Sequence, residues 1–293
     1  MIVAAALVAS RLLHFAALTF IFGAGWAPAY ADPRPIAARL KLLTRLAAWL
    51  ALASGIGWFV FALVGMAGSF SAAFAPGALL ATVRDMTFGQ VSAIRIVGGA
   101  VLVFLAALPR PEGRRRLEWL LAGALLASIA LTGHAQEEEG WALLVHGAAD
   151  ALHLLAAGLW LGGLGVLVTL LADSARRLDD EAPRRALMRF STTGIVAVLV
   201  LAGTGFVNAV FLVGAPAALL STAYGRVLVA KIALFLLMVG LAALNRRDLR
   251  RETASMAVLR RRVIIEQALG ACVLAAVALL GTMAPGAMAG MSG

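Results

Sequence analysis

Apolar residues occur along this chain in long unbroken runs separated by short polar connectors in which arginine dominates. Eight runs are predicted as spans, over residues 3–27, 42–66, 91–108, 117–131, 141–171, 190–213, 227–244 and 263–283. A membrane-crossing helix needs about 20 predominantly apolar residues. Uniform apolarity also excludes barrel strands, which alternate. The predicted fold class is an all-α integral membrane protein with eight transmembrane helices. Residues 1–30 resemble a signal peptide, but the run is long, carries Arg11 and His14, and lacks a small-x-small cleavage site before a polar domain. It is read as a retained first span.

The connectors then sort by charge. Those after spans one, three, five and seven hold Arg34, Arg39, Lys41 and Arg45; Arg110, Arg114, Arg115 and Arg116; Arg176, Arg177, Arg184, Arg185 and Arg189; and Arg246, Arg247, Arg250, Arg251, Arg260, Arg261 and Arg262. The other connectors hold only Arg84 and Arg226, with the acidic run "HAQEEEGW". The positive-inside rule places both termini in the periplasm.

The order of motifs repeats. "GQVSAIRIVGGAVLVFLAALPR" (89–110) aligns without gaps on "GRVLVAKIALFLLMVGLAALNR" (225–246), matching Arg95 with Lys231. "LHFAALTFIFG" (13–23) aligns on "LHLLAAGLWLG" (152–162), matching His14 with His153. "SGIGWF" (54–59) falls on "AGTGFV" (202–207), and "TGHA" (132–135) on "GTMA" (281–284), matching His134 with Met283. Four pairs in order predict two parallel four-helix repeats, over 1–135 and 136–293, related by an axis along the membrane normal. The second ends in a short tail containing Met288 and Met291.

Composition agrees and narrows the function. The chain has 293 residues, 62% hydrophobic and 14% charged, which leaves no room for a sizeable soluble domain. The net charge of +10 is absorbed by the topology signal and by attraction to anionic membrane lipid, and does not point to nucleic acid. The single cysteine, Cys272, is expected as a small buried hydrophobe.

Polar groups inside the spans carry the chemistry. With a rise of about 1.5 Å per residue, His14, Arg95, His134, His146, Asp150, His153, Lys231 and Met283 all fall toward the periplasmic side, and Glu266 toward the cytoplasmic side. His146, Asp150, His153 and Trp160 share one helix face, which must point into the bundle because ionisable groups facing lipid are costly. The repeat sets His14 facing His153 and Arg11 opposite Asp150, where an ion pair is expected. Arg95 and Lys231 either snorkel outward or act at the repeat interface. Trp160 either packs on Gly162 and Gly163 or meets substrate. Glu266 either pairs with the arginines at 260–262 or serves as an exit-side group. Neutral imidazoles with thioether sulfur form the ligand set of copper, in either oxidation state. Two histidines across a bundle also suit axial ligation of a b-type haem, the rival reading.

The segment "HLLAAGLWLGGL" resembles the copper resistance D family (CopD, PcoD and the membrane half of YcnJ-type proteins), with a His followed seven residues later by Trp and a Gly-Gly pair. "RFSTTG", "YGRVLVAKIALF", "ALNRRDL" and "VIIEQALGACVL" extend the resemblance. It implies a multi-pass protein of the bacterial inner membrane that imports copper from periplasm to cytoplasm, supplied by a periplasmic CopC-type copper-binding protein expected here as a separate chain. It also implies family positions at His134, His153, Trp160, Lys231 and Glu266, whereas His14, His146 and Asp150 rest on depth and helical face. No P-loop is present, in keeping with a secondary carrier rather than an enzyme. A non-transporting copper sensor or chaperone-docking protein is a third possibility. Ligation requires neutral imidazole, so uptake is expected to fall below about pH 6.5, the unperturbed imidazole value.

Overall fold

The computed structural model describes residues 1–109, 111–133, 139–177, 180–213 and 216–285, and every regular element among them is helical. The long helices are α1 (Ile2–Trp26), α2 (Ala37–Ala67), α5 (Thr87–Ala107), α6 (Glu112–Ala127), α7 (Gly140–Arg177), α8 (Glu181–Val213), α10 (Ala223–Arg251) and α11 (Met256–Leu280). Short helices α3 (Phe70–Ala73), α4 (Ala78–Asp85) and α9 (Ala218–Ser221) lie in connectors.

Among the described residues seven helices, all the long ones except α6, are long and apolar enough to cross a membrane. Several overshoot the apolar runs on the basic side: α8 begins at Glu181 and α10 runs on to Arg251. Charge ends the apolar run but not the helix, since arginine is a good helix former. The fourth predicted span is α6 followed by a 3-10 segment, Ser128–Thr132. It falls short in apolarity because Glu112, Arg114, Arg115, Arg116 and Glu118 occupy its first turns.

The basic connectors meet one another at one end of the bundle. Arg45 donates from Nε to the Ala106 carbonyl and from Nη2 to that of Ala107, both at 2.7 Å, capping the end of α5. Arg184 donates to the Ala254 carbonyl at 3.2 Å, and Arg246 to the Ser191 hydroxyl. Asp248 accepts from Arg262 at 2.7 Å and Arg247 at 3.1 Å. At the start of α10, Thr222 accepts from the Gly225 amide at 2.9 Å, an N-cap that ends the preceding connector.

Buried apolar side chains form two principal clusters. Phe15, Leu18, Phe22, Trp58, Leu102 and Leu126 draw together α1, α2, α5 and α6, while Trp160, Leu167, Phe190, Leu201, Met238 and Leu259 draw together α7, α8, α10 and α11. The two groups meet where α1 crosses α7. A Cβ on Gly162 would lie 2.1 Å from the Thr19 carbonyl oxygen, and one on Gly23 would lie 2.3 Å from the Gly162 backbone. Only glycine permits that approach. Cys272 departs from expectation: it is exposed on α11, on a surface that the apolar composition assigns to lipid.

Candidate functional site

His14 is 3% exposed and turned from α1 onto α2. Its Nδ1 lies 2.9 Å from the Ala51 carbonyl oxygen and 3.4 Å from the Ser54 hydroxyl. A carbonyl only accepts, so the proton sits on Nδ1 and Nε2 keeps its lone pair. Nε2 is buried with no hydrogen-bonding partner among the described residues. The ring lies over Gly55 and meets Trp58 edge-on at 5.7 Å.

His153 is built the same way in the other group of helices. Its Nδ1 lies 2.9 Å from the Thr204 hydroxyl oxygen, and that hydroxyl donates to the Val200 carbonyl at 2.6 Å, so it accepts from the imidazole. Nε2 again keeps the lone pair. The ring lies over Gly205 on α8. These contacts pair Ser54 with Thr204 and Gly55 with Gly205, two positions along from the motif alignment. Each histidine bonds into the second helix of its own group, an arrangement that the picture of His14 facing His153 did not contain.

The charged groups follow the same correspondence. Arg95 is the charge that acts most on His14, and Lys231 the one that acts most on His153. The Arg95 guanidinium lies 4.4 Å from the Trp58 ring centroid and donates to Thr132 at 3.3 Å and to Ser92 at 3.4 Å. At 4% exposure Arg95 does not snorkel to the surface. Arg11 lies 4.5 Å from the same ring, and the charge of Asp150 acts on both Arg11 and Lys231. Asp150 accepts from Asn208 at 3.3 Å. Gly281 abuts the Arg11 guanidinium while Gly133 abuts the Asp150 carboxylate. Half-buried Met283 is two residues beyond Gly281, with its amide bonded to the Leu280 carbonyl. His146 is buried and stacked on Phe211 at 4.7 Å. His134, Met288 and Met291 lie outside the described residues.

Trp160 and Glu266, separate in the sequence reading, are joined in the interior. Trp160 is 2% exposed and meets Phe235 edge-on at 5.9 Å, with its indole toward the Glu266 carboxylate, which accepts from Asn245 at 3.4 Å. Arg262 is engaged by Asp248 instead, so Glu266 is a buried carboxylate and not a partner of the basic cluster. Glu118 of α6 is equally buried and lines a cleft of about 280 Å³ with Lys41, Thr44, Arg115 and Trp119 at the basic end.

Trp58, Ser54, Thr204, Asn208 and Asn245 carry roles that sequence reasoning did not assign. Ser54 and Thr204 sit in quoted small-residue motifs, and a hydroxyl in such a motif, on the span following a histidine, was the signal available. Asn245 offered only an amide at the end of an apolar run. Among the described residues no three of His, Cys, Asp and Glu converge as a metal-binding group.

Residues 1–145 match the family model for the N-terminal domain of copper resistance protein D-like proteins, and residues 184–280 match that for copper resistance protein D. The inner membrane protein YebZ of Escherichia coli (strain K12) is 30% identical over 287 residues, covering 95% of this chain and 98% of that protein. Copper resistance protein D of Pseudomonas syringae pv. tomato is 35% identical over 209 residues, 67% of each chain. Copper transport protein CutJ of Bacillus subtilis (strain 168) is 33% identical over 190 residues, 61% of this chain and 34% of that protein. No solved structure matches.

Proposed function

Because this chain belongs to the copper resistance protein D family, we propose that it is a multi-pass carrier of the bacterial inner membrane that imports copper from periplasm to cytoplasm. The observation that carries the reading is the matched pair of histidines. Both imidazoles are held as Nδ1–H tautomers by a fixed acceptor, which leaves Nε2 as a bare lone pair. Metal-ligating histidines are held in this manner, with the second ring nitrogen donating to a carbonyl or another oriented acceptor. Copper enters at the periplasmic end, delivered by a CopC-type protein to His134, His146 and Met283, and passes to His14 and His153. It leaves toward Glu266, whose carboxylate is oriented by Asn245 beside the Trp160 indole.

The architecture assigned to this carrier is two parallel repeats of four spans, α6 with its 3-10 extension serving as the fourth, and both termini in the periplasm. Three observations support it. The buried apolar side chains gather into two clusters, one drawn mainly from α1, α2, α5 and α6 and the other mainly from α7, α8, α10 and α11. Gly23 lies against Gly162, and the Asp150 charge reaches Arg11 at the same sequence offset, as two parallel copies of one helix require. The basic connectors share one end.

The test is copper uptake into proteoliposomes, with metal analysis and a visible spectrum of the same preparation. Uptake by the native protein and its loss in the His14→Ala, His153→Ala double variant are expected, with bound copper and no stoichiometric Soret band. An uptake rate unchanged in the double variant would defeat the site, and a Soret band would return the haem reading.

A further inference from the structure

Among the described residues, the cations around the two histidines outnumber the acidic groups beside them. Arg95 is buried and Arg11 and Lys231 are half-buried, and Arg11 and Arg95 lie against the same indole. Asp150 is the acidic side chain whose charge acts on Arg11 and Lys231, and it is already bonded to Asn208. Arg95 spends one nitrogen on Ser92 and Thr132, and its Nη1 is buried with no hydrogen-bonding partner among the described residues. Arg11 Nε is in the same condition. A buried guanidinium N–H without an acceptor is unfavourable, and a buried cation without a counter-charge more so. Arg95 Nη1 and Arg11 Nε are donors on different arginines and not the adjacent nitrogens of one guanidinium, so they suit an acceptor of one atom better than the paired oxygens that a whole guanidinium fork would bind.

We infer that Arg11 and Arg95, on the Trp58 ring, form a binding site for a halide ion of the chloride kind. The bound anion sits beside His14, which meets the same indole, and offsets the positive charge that Arg95 presents to a cation arriving there. The site itself does not depend on copper being the cargo, and it is tested on metal-free protein.

The experiment uses the full chain in nanodiscs of zwitterionic phosphatidylcholine, with chloride exchanged for gluconate at constant ionic strength. Two readouts are taken, the broadening of the chloride magnetic resonance line and the intrinsic tryptophan fluorescence. Saturable broadening is expected, together with a fluorescence change of the same midpoint that disappears in Trp58→Phe. Arg95→Gln and Arg11→Gln should each weaken chloride binding by about tenfold or more, the loss typical of a hydrogen bond to a charged group. Arg84→Gln, an exposed change outside the cluster, should leave it unchanged. Should either glutamine variant fail to fold, the native protein and Trp58→Phe still decide the matter. Chloride effects that never saturate, or that persist unchanged in folded Arg95→Gln and Arg11→Gln, overturn the site. Phosphate that displaces chloride at far lower concentration overturns the halide assignment.

Discussion

Removing the Thr204 hydroxyl should matter more than removing the Ser54 hydroxyl, although the two occupy corresponding places beside a histidine. His14 has the Ala51 carbonyl at 2.9 Å as its main acceptor, with Ser54 further off at 3.4 Å. His153 depends on the Thr204 oxygen at 2.9 Å. Thr204→Val keeps the shape of the side chain but leaves the Nδ1 proton without that acceptor and frees the ring to change tautomer. Loss of such an orienting partner typically costs about 10–100-fold in metal affinity. Copper titration of the purified variants should show a loss in this range for Thr204→Val and a smaller one for Ser54→Ala, and equal losses would remove the distinction drawn between the two sites. The candidate histidines were legible in the sequence because a polar group in an apolar run stands out. Their partners were not, since Ala51 contributes only its backbone and Trp58 looks like any aromatic residue of a membrane helix. What makes Trp58 part of the site is its contact with Arg11 and Arg95, 47 and 37 residues away, which no local pattern encodes.

At the scale of elements, the crossing of α1 over α7 fixes how the two histidines stand relative to each other. The crossing is made by backbone: the space a Cβ would need at Gly162 is taken by the Thr19 carbonyl oxygen and by Gly23, neither of which has a side chain that could rotate away. Gly162→Ala therefore forces the helices apart, and overpacking of this kind costs about 1–3 kcal/mol or more. Gly65 on α2 offers the control, because a Cβ there meets nothing within 4 Å. Gly65→Ala should leave thermal stability in detergent unchanged or slightly raised, since alanine is the better helix former, while Gly162→Ala should lower it by several degrees. Matching losses in the two variants would mean that the crossing is not what holds the helices. The Gly-Gly pair is visible in the sequence, where it is one of two alternatives for the contact of Trp160, the other being substrate. The structure gives Gly162 to α1, and Trp160 meets Phe235. Periodicity placed Trp160 on the face shared with His153 and could not say which helix that face meets.

For the whole molecule, apolar runs located the long helices well, because hydrocarbon admits little else, and the one ambiguous element is the one whose sequence mixes the two signals. α6 begins in charge and ends in a 3-10 segment, yet it reaches along the full bundle: Trp119 stacks on Phe22 at 5.7 Å near the basic end, and Thr132 accepts from Arg95 near the other. Whether α6 crosses decides on which side everything after it lies. Exposed positions Gly113, at its start, and Glu139, beyond its end, provide the measurement. In a chain first made cysteine-free by Cys272→Ala, single Gly113→Cys and Glu139→Cys variants are treated with a membrane-impermeant maleimide on intact spheroplasts. With α6 as a span, Glu139→Cys is labelled at once and Gly113→Cys only after the membrane is opened. If α6 lies on one surface instead, both cysteines respond to the reagent from the same side, the chain has an odd number of crossings, and its ends face opposite compartments. The parallel repeat would then fail with it, because two copies related by an axis along the membrane normal need an even number of spans each.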